Sequence, residues 1–222
     1  MIELKEVNFR YPEGKMIFSD FSFNLKRGER VGLIGNNGSG KTTLLRLIMG
    51  LLKPDEGDIE ILGSLRKTEA DFLEVRRRIG LLFQDADDQL FCPSVEEDIA
   101  FGPLNLGKTN AEAREMVKHA CQVLGINGLE KKITYRLSGG EKRLVALATL
   151  VAMNPECYLL DEPTAGLDEA TTGRFLGYLR ESVETCLIIS HDQNFLTKAV
   201  DRVYAVKDGG LLPLERGRPG RK

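Results

Sequence analysis

Apolar and polar positions alternate along residues 2–9, "IELKEVNF", and again along 17–25, "IFSDFSFNL", with the turn signal "YPEG" at 11–14 between them. A period of two is that of a strand buried on one face, so an antiparallel β region is predicted at the N-terminal end. The pattern then changes. "RVGLIG" at 30–35 is apolar without alternation, as strands are when a parallel sheet is covered on both faces. Further strands are predicted at 58–62, 79–83, 157–161 ("CYLLD"), 186–190 ("CLIIS") and 202–206. Helical patterns fall at 41–51, about 111–124, 138–153 and about 171–182. Strands alternating with helices imply an α/β fold with a mainly parallel sheet. Residues 85–153 read as helices and loops without a strand, a helical insert in that core.

Composition narrows the picture. A chain of 222 residues, 42% hydrophobic, is long enough for one α/β domain, expected over residues 1–214. The basic, Gly- and Pro-containing tail at 215–222 is expected to be disordered. A net charge of −2 supplies no basic field for nucleic acid or an anionic membrane. The apolar-rich stretch Leu44–Leu52 is interrupted by Arg46 and Gly50 and falls short of the ~20 residues of a membrane span. The chain is therefore expected to be soluble by itself. The four cysteines form no C-x-x-C pair, which argues against a thiolate zinc site, and Cys157 and Cys186 read as small buried hydrophobes.

The first chemistry lies at 35–42, "GNNGSGKT", which fits G-x-x-x-x-G-K-[ST] between an apolar strand and a helix. Gly35, Gly38 and Gly40 let backbone N–H groups close around a polyphosphate, and the helix start turns its positive dipole end to the same anion. Lys41 reaches β- and γ-phosphates and Thr42 offers a hydroxyl to Mg²⁺. Asn36, Asn37, Gly38, Ser39, Gly40, Lys41, Thr42 and Thr43 are the candidate phosphate-binding residues. "CYLLDE" at 157–162 is an apolar strand ending in two carboxylates. Asp161 there is placed to hold Mg²⁺ through water, and Glu162 to polarise an attacking water. Together the two motifs specify a nucleoside triphosphatase without saying of which kind.

"LSGGEKR" at 137–143 narrows the kind. Ser138 and Glu141 form an S-x-x-E capping box, and Gly139 and Gly140 expose the backbone of the helix start. A capped helix with no further role has the same sequence. With this motif in place, the chain resembles the ABC (ATP-binding cassette) ATPase family over about residues 2–210. Tyr11 looks like the aromatic residue that stacks on adenine, Gln84 like the Q-loop glutamine, "AGLD" at 165–168 like the D-loop, and His191 like the switch histidine. The resemblance implies a P-loop NTPase core, ATP and Mg²⁺ as cofactors, and a head-to-tail dimer, homomeric or heteromeric. Each ATP would lie between the phosphate loop of one subunit and Ser138, Gly139 and Gly140 of the other. It further implies that Glu162, His191 and Gln84 serve hydrolysis, and that Thr42, Gln84 and Asp161 hold the metal. Many members have Gln where this chain has Glu141, whose added negative charge is expected to be tolerated, with weaker ATP-driven closure.

One stretch is unexplained by these motifs. Asp85, Asp87, Asp88, Glu96, Glu97 and Asp98 lie within 14 residues, around an apolar Leu90-Phe91. A metal site lacks the ligand spacing of a Ca²⁺ loop, and a solvated acidic face leaves Leu90, Phe91, Ile99 and Phe101 in need of cover. A docking groove accounts for both, with apolar residues to grip a helix and acids to pair with its basic residues. Val95 and Ile99 are expected on one helix face, with Glu96, Glu97 and Asp98 off it. "DDQLF" at 87–91 and "VEEDIAFGPLNLG" at 95–107 resemble the ATPases of energy-coupling factor (ECF) importers of cobalt, nickel or vitamins. That resemblance implies a transmembrane coupling subunit docking near 84–107. It also implies a place on the cytoplasmic face of the membrane, reached only through partners, and no nucleic-acid partner. Little follows Gly210 where many ECF ATPases extend, which favours cobalt or nickel over a vitamin. The alternatives are an ATPase of another ABC importer or exporter, and a soluble ABC ATPase acting on nucleic acid or ribosomes. A small-molecule phosphotransferase would leave "LSGGEKR" without a role.

Overall fold

Strands β1 (Ile2–Arg10) and β2 (Met16–Leu25) pair antiparallel with Ile2 opposite Leu25 and Leu4 opposite Phe23. On the other edge of β1, β4 (Glu56–Ile61) pairs antiparallel with Ile2 opposite Ile61, and β5 (Ser64–Leu65) extends β4. The alternating apolar residues of all three long strands are buried together. Alternation slips at Glu6 (φ 50°), where the register shifts between Leu4 and Val7. The computed structural model describes residues 1–12, 14–207 and 209–214; the tail expected to be disordered lies outside the described residues. They divide into two units: Met1–Arg76 with the described residues from Thr185 onward, and Arg77–Glu184.

In the first unit a second strand group is parallel. β3 (Arg30–Ile34) lies between β8 (Cys186–Ile189) and β9 (Arg202–Lys207), and β10 (Gly210–Leu214) closes antiparallel on β9. Every residue of β8 is buried, the burial that an unalternating apolar strand predicts. Helix α1 (Lys41–Ile48) follows β3. The pattern of the sequence does not predict α2 (Glu69–Arg78), α7 (Gln193–Ala199), β5 or β10. The reason in α2 is visible: only Phe72 and Val75 are buried in it, too few to make a stripe. It is tied instead by the buried Arg66, whose guanidinium donates to Glu74 (2.7 Å) and to Ile61 O (2.9 and 3.0 Å).

The second unit pairs β6 (Ile79–Leu82) with β7 (Cys157–Asp161) in parallel. Its helices are α3 (Val95–Asn105), α4 (Asn110–Leu124), α5 (Gly139–Met153) and α6 (Glu169–Ser182). Helices α3, α4 and α5 occupy the span read as a helical insert, and α5 packs on both others. A Cβ on Gly102 would lie 2.4 Å from Met153 Cγ, so any side chain there would have to displace Met153 from the α3–α5 contact. Tyr158 of β7 and Tyr178 of α6 share a buried 2.7 Å hydroxyl–hydroxyl hydrogen bond, and burial raises both phenol pKa values. Tyr178→Phe leaves the Tyr158 hydroxyl buried without that partner and is expected to destabilise the fold by about 1–3 kcal/mol. Urea unfolding should show this as a lower midpoint with an unchanged slope.

Candidate nucleotide site, signature helix and docking face

In the first unit, β3 ends at Ile34 and the chain turns through Gly35–Gly40 into α1. Gly40 is the helix N-cap in a left-handed conformation (φ 102°), and a Cβ there would stand 2.8 Å from Ile17 Cγ2. No L side chain suits both demands. Asn36, Asn37 and Gly38 are exposed on the loop, and Ser39 N donates to Asn36 O at 3.1 Å. The Lys41 side chain, 8% exposed, folds back so that Nζ donates to Gly35 O (2.7 Å) and Asn36 O (3.0 Å). Ser39 Oγ is buried and makes no hydrogen bond among the described residues. A buried hydroxyl without a partner, beside a folded-back ammonium and a helix start, fits a phosphate group that would satisfy it. Tyr11 stands edge-on to Phe9, with its hydroxyl 3.1 Å from Thr43 Oγ1. Because Leu33 pairs with Ile189, Gly35 and His191 each stand two residues past a matched pair, at the C-terminal ends of β3 and β8. His191 is exposed there, immediately before Asp192, the N-cap of α7.

The second unit repeats that arrangement. Leu82 pairs with Leu160, so Gln84 and Glu162 each stand two residues past a matched pair, beyond the C-terminal ends of β6 and β7. Asp161 is buried as the last residue of β7, Gln84 is exposed, and Glu162 is left-handed (φ 49°). A residue that sequence reasoning missed joins these segments. Arg143 of α5, 4% exposed, donates from Nη1 to Phe83 O (2.6 Å) and Gln84 O (3.1 Å). Its Nη2 donates to the carbonyls of Asp161 and Glu162. The available signal was periodicity: Arg143 precedes buried Ala146, Leu147, Leu150 and Val151 at helical spacing, a cation on an apolar face.

The capping box read from "LSGGE" is formed. Ser138 Oγ accepts from Glu141 N, and Glu141 Oε2 accepts from Ser138 N at 2.8 Å. Ser138 and Gly139 are exposed at the start of α5, with open space where a Gly139 Cβ would be. A Gly140 Cβ would stand 3.3 Å from Gly166 O, which puts the "AGLD" turn beside the signature. The charge of Glu141 is met from within: Lys132 Nζ bonds its carboxylate at 2.8 Å, and chiefly that bond, with those from Ser138, lowers its pKa to about 2.

The acidic stretch differs from expectation. Asp98 is not off the apolar face but buried, 3% exposed, accepting from Phe91 N (3.0 Å), Cys92 N (2.9 Å) and Thr134 Oγ1 (3.0 Å). A short polar side chain capping an irregular turn is buried because those donors would otherwise be unpaired. Four of the other five acids are also engaged within the chain. Asp85 accepts from Asp87 N, Asp87 pairs with Lys142, Glu96 with Lys131, and Glu97 caps Ser94. Val95 and Ile99 share a face as expected, but it is fully buried and needs no partner. What faces outward is aromatic: Phe91 (66% exposed) and Phe101 (46%), in edge-to-face contact with ring centres 4.8 Å apart. Phe101 also lines a cleft of about 780 Å³ with Cys92, Pro93, Ala100, Leu104 and Val117.

The depressed Glu141 pKa carries a pH expectation. A carboxylate whose folded pKa lies below its unfolded value stabilises fully above the unfolded value of about 4.3, and the gain disappears as pH falls through the folded value. Its contribution to the helix cap should therefore be constant from neutral pH down to about 4.3. A carboxyl ¹³C NMR titration is expected to give a midpoint of about 2 for Glu141. In Lys132→Met that midpoint should rise toward about 4.3.

Comparison with known proteins follows the same lines. The sequence profile of the family described as ABC transporter matches residues 18–165. A putative ABC transporter ATP-binding protein of Nitratidesulfovibrio vulgaris is 46% identical over 210 residues, 94% of this chain and 77% of its own. The energy-coupling factor transporter ATP-binding protein EcfA of Methanocaldococcus jannaschii is 41% identical over 216 residues, 96% of this chain and 77% of its own. Among solved structures, cbiO1 from Clostridium perfringens, part of the ABC transporter complex cbiONQ, is 35% identical with a TM-score of 0.80, covering 95% and 86% of the two chains. The ATP-binding cassette MJ0796, a dimer in a post-hydrolysis state bound to ADP and Pi, is 27% identical with a TM-score of 0.86, covering 95% and 96%. The α/β architecture is that of a P-loop NTPase, its cofactors are ATP and Mg²⁺, and the chain belongs to the ABC transporter family as an ATP-hydrolysing, ATP-binding subunit.

Proposed function

We propose that this chain is the ATPase of an ECF-type importer and powers uptake of cobalt, nickel or a vitamin through a transmembrane coupling subunit. The observation that carries the reading is the exposed Phe91–Phe101 pair. It lies just past Gln84, in the segment whose sequence resembles ECF ATPases, and the EcfA and cbiO1 likenesses support it. Among the described residues no helix is long and apolar enough to cross a membrane. The chain in this reading sits on the cytoplasmic face through its partners.

Residues 1–214 act as one ATPase domain in a homodimer or heterodimer. Tyr11 stacks on adenine. Asn36 to Gly40 supply loop N–H groups and the Ser39 hydroxyl to the phosphates, joined by Thr43 at the base of α1, and Lys41 leaves its loop carbonyls to meet the β- and γ-phosphates. Thr42, Gln84 and Asp161 would hold Mg²⁺, which would supply positive charge to the phosphates. Glu162 accepts the proton of the attacking water, and His191 hydrogen-bonds the γ-phosphate. The Ser138 hydroxyl and the helix-start N–H groups of Gly139 and Gly140 meet the ATP of the partner subunit. Lys132 offsets the negative charge that Glu141 adds there.

Two experiments test this reading. Glu162→Gln is expected to keep ATP binding, lower turnover roughly 10²- to 10⁴-fold and trap a closed dimer, whereas Lys41→Ala should weaken ATP binding itself. Near-normal turnover by Glu162→Gln would remove the base assignment. For the partner, Phe91→Asp combined with Phe101→Asp should weaken co-purification with a co-expressed ECF coupling subunit at least about tenfold, because exposed aromatics dominate such contacts. ATP affinity serves as the folding control. An undiminished complex would move docking elsewhere, and cells lacking ATP-dependent uptake of all three solutes would point to another ABC importer or exporter.

A further inference from the structure

Arg143 is an expensive residue to bury. Its guanidinium sits on the apolar face of α5, and burial works against its charge while the nearby carboxylates of Asp161, Glu162 and Asp85 favour it. Nε makes no hydrogen bond among the described residues. An apolar side chain would fill the same volume at lower desolvation penalty. What no apolar side chain reproduces is the fork. Nη1 holds the carbonyls of Phe83 and Gln84, and Nη2 those of Asp161 and Glu162. All four acceptors are backbone atoms at or next to residues assigned to hydrolysis, and none belongs to a helix. Glu162 is also in a left-handed conformation that a non-glycine residue keeps only where its surroundings hold it.

We propose that Arg143 is a positioning residue which locks the Gln84 segment to the Asp161–Glu162 turn, so that the nucleotide-contacting glutamine and the water-polarising glutamate keep a fixed spacing during hydrolysis. The inference rests on the roles assigned above to Gln84 and Glu162. A planar five-donor fork bridges two segments at once, whereas a lysine ammonium is a single point that reaches one of them. The two segments would then shift independently, and a misplacement of the order of an ångström is enough to slow chemistry without touching the phosphate loop.

The test uses the purified full chain as Arg143→Lys and Arg143→Gln, with Glu162→Gln alongside. ATP affinity is read by calorimetry and turnover at saturating ATP. The expected result is kcat lowered roughly 10- to 100-fold in both Arg143 variants. Their ATP Kd should stay within about threefold of the parent, the split that marks loss of transition-state rather than ground-state interactions. Parallel loss of ATP affinity and kcat, or failure of both variants to fold, would overturn the proposal and leave Arg143 a residue of the fold alone. Near-normal turnover of folded Arg143→Lys and Arg143→Gln beside an inactive Glu162→Gln would overturn only this inference. An active Glu162→Gln would overturn the assignment on which it rests.

Discussion

The ladder that holds Leu33 opposite Ile189 in one unit, and Leu82 opposite Leu160 in the other, decides where the phosphate loop, His191, Gln84 and Glu162 stand. Parallel pairing makes neighbouring strands end level. The chain leaves both strands on the same side, and the first residues to leave carry backbone groups that the ladder no longer uses. Gly35 and His191 stand at that distance past one pair, Gln84 and Glu162 past the other. A one-residue slip in either ladder would turn a strand's side chains to the opposite face and withdraw a functional residue from its place. β7 and β8 are buried along their length and β3 along its centre, so such a slip would have to repack apolar side chains on both faces at once.

Three buried charges are received largely by the backbone. Lys41 rests on two loop carbonyls, Arg143 on four, and Asp98 accepts from two backbone N–H groups and a threonine hydroxyl. Each case joins an ion to backbone at a loop, a turn or a strand end. Buried ions of this kind are weak sources of stability, because desolvation offsets most of the attraction. Their effect is geometric: they fix the turns that bear Gln84, Glu162 and Phe91.

The segment 85–107 shows how composition misleads about a surface. Its acids look like a partner's electrostatic target, yet five of the six accept hydrogen bonds or ion pairs inside the chain. Exposed ion pairs contribute little energy, and once formed they leave less charge to offer a partner. The exposed Phe91 and Phe101 rings carry the apolar area that binding can remove from water. Electrostatics at such a face governs rate and orientation more than affinity.

Period, capping and motif spacing are local properties, and the sequence by itself determined what depends on them. These are the α/β alternation, the phosphate loop between β3 and α1, the acids ending β7, and the capping box at Ser138–Glu141. Helix α2 escaped because it is held by Phe72, Val75 and the Arg66 just before it rather than by an apolar stripe of its own. The partners of Arg143 lie about 20 and 60 positions away along the chain, and Glu141 meets Lys132 outside its own helix. Asp98 reads as one more surface acid until the turn at Phe91 and Cys92 presents its N–H groups. Only the tertiary structure decided these pairings, because a side chain's charge is written in the sequence, while the group that satisfies it is set by which backbone the fold brings within 3 Å.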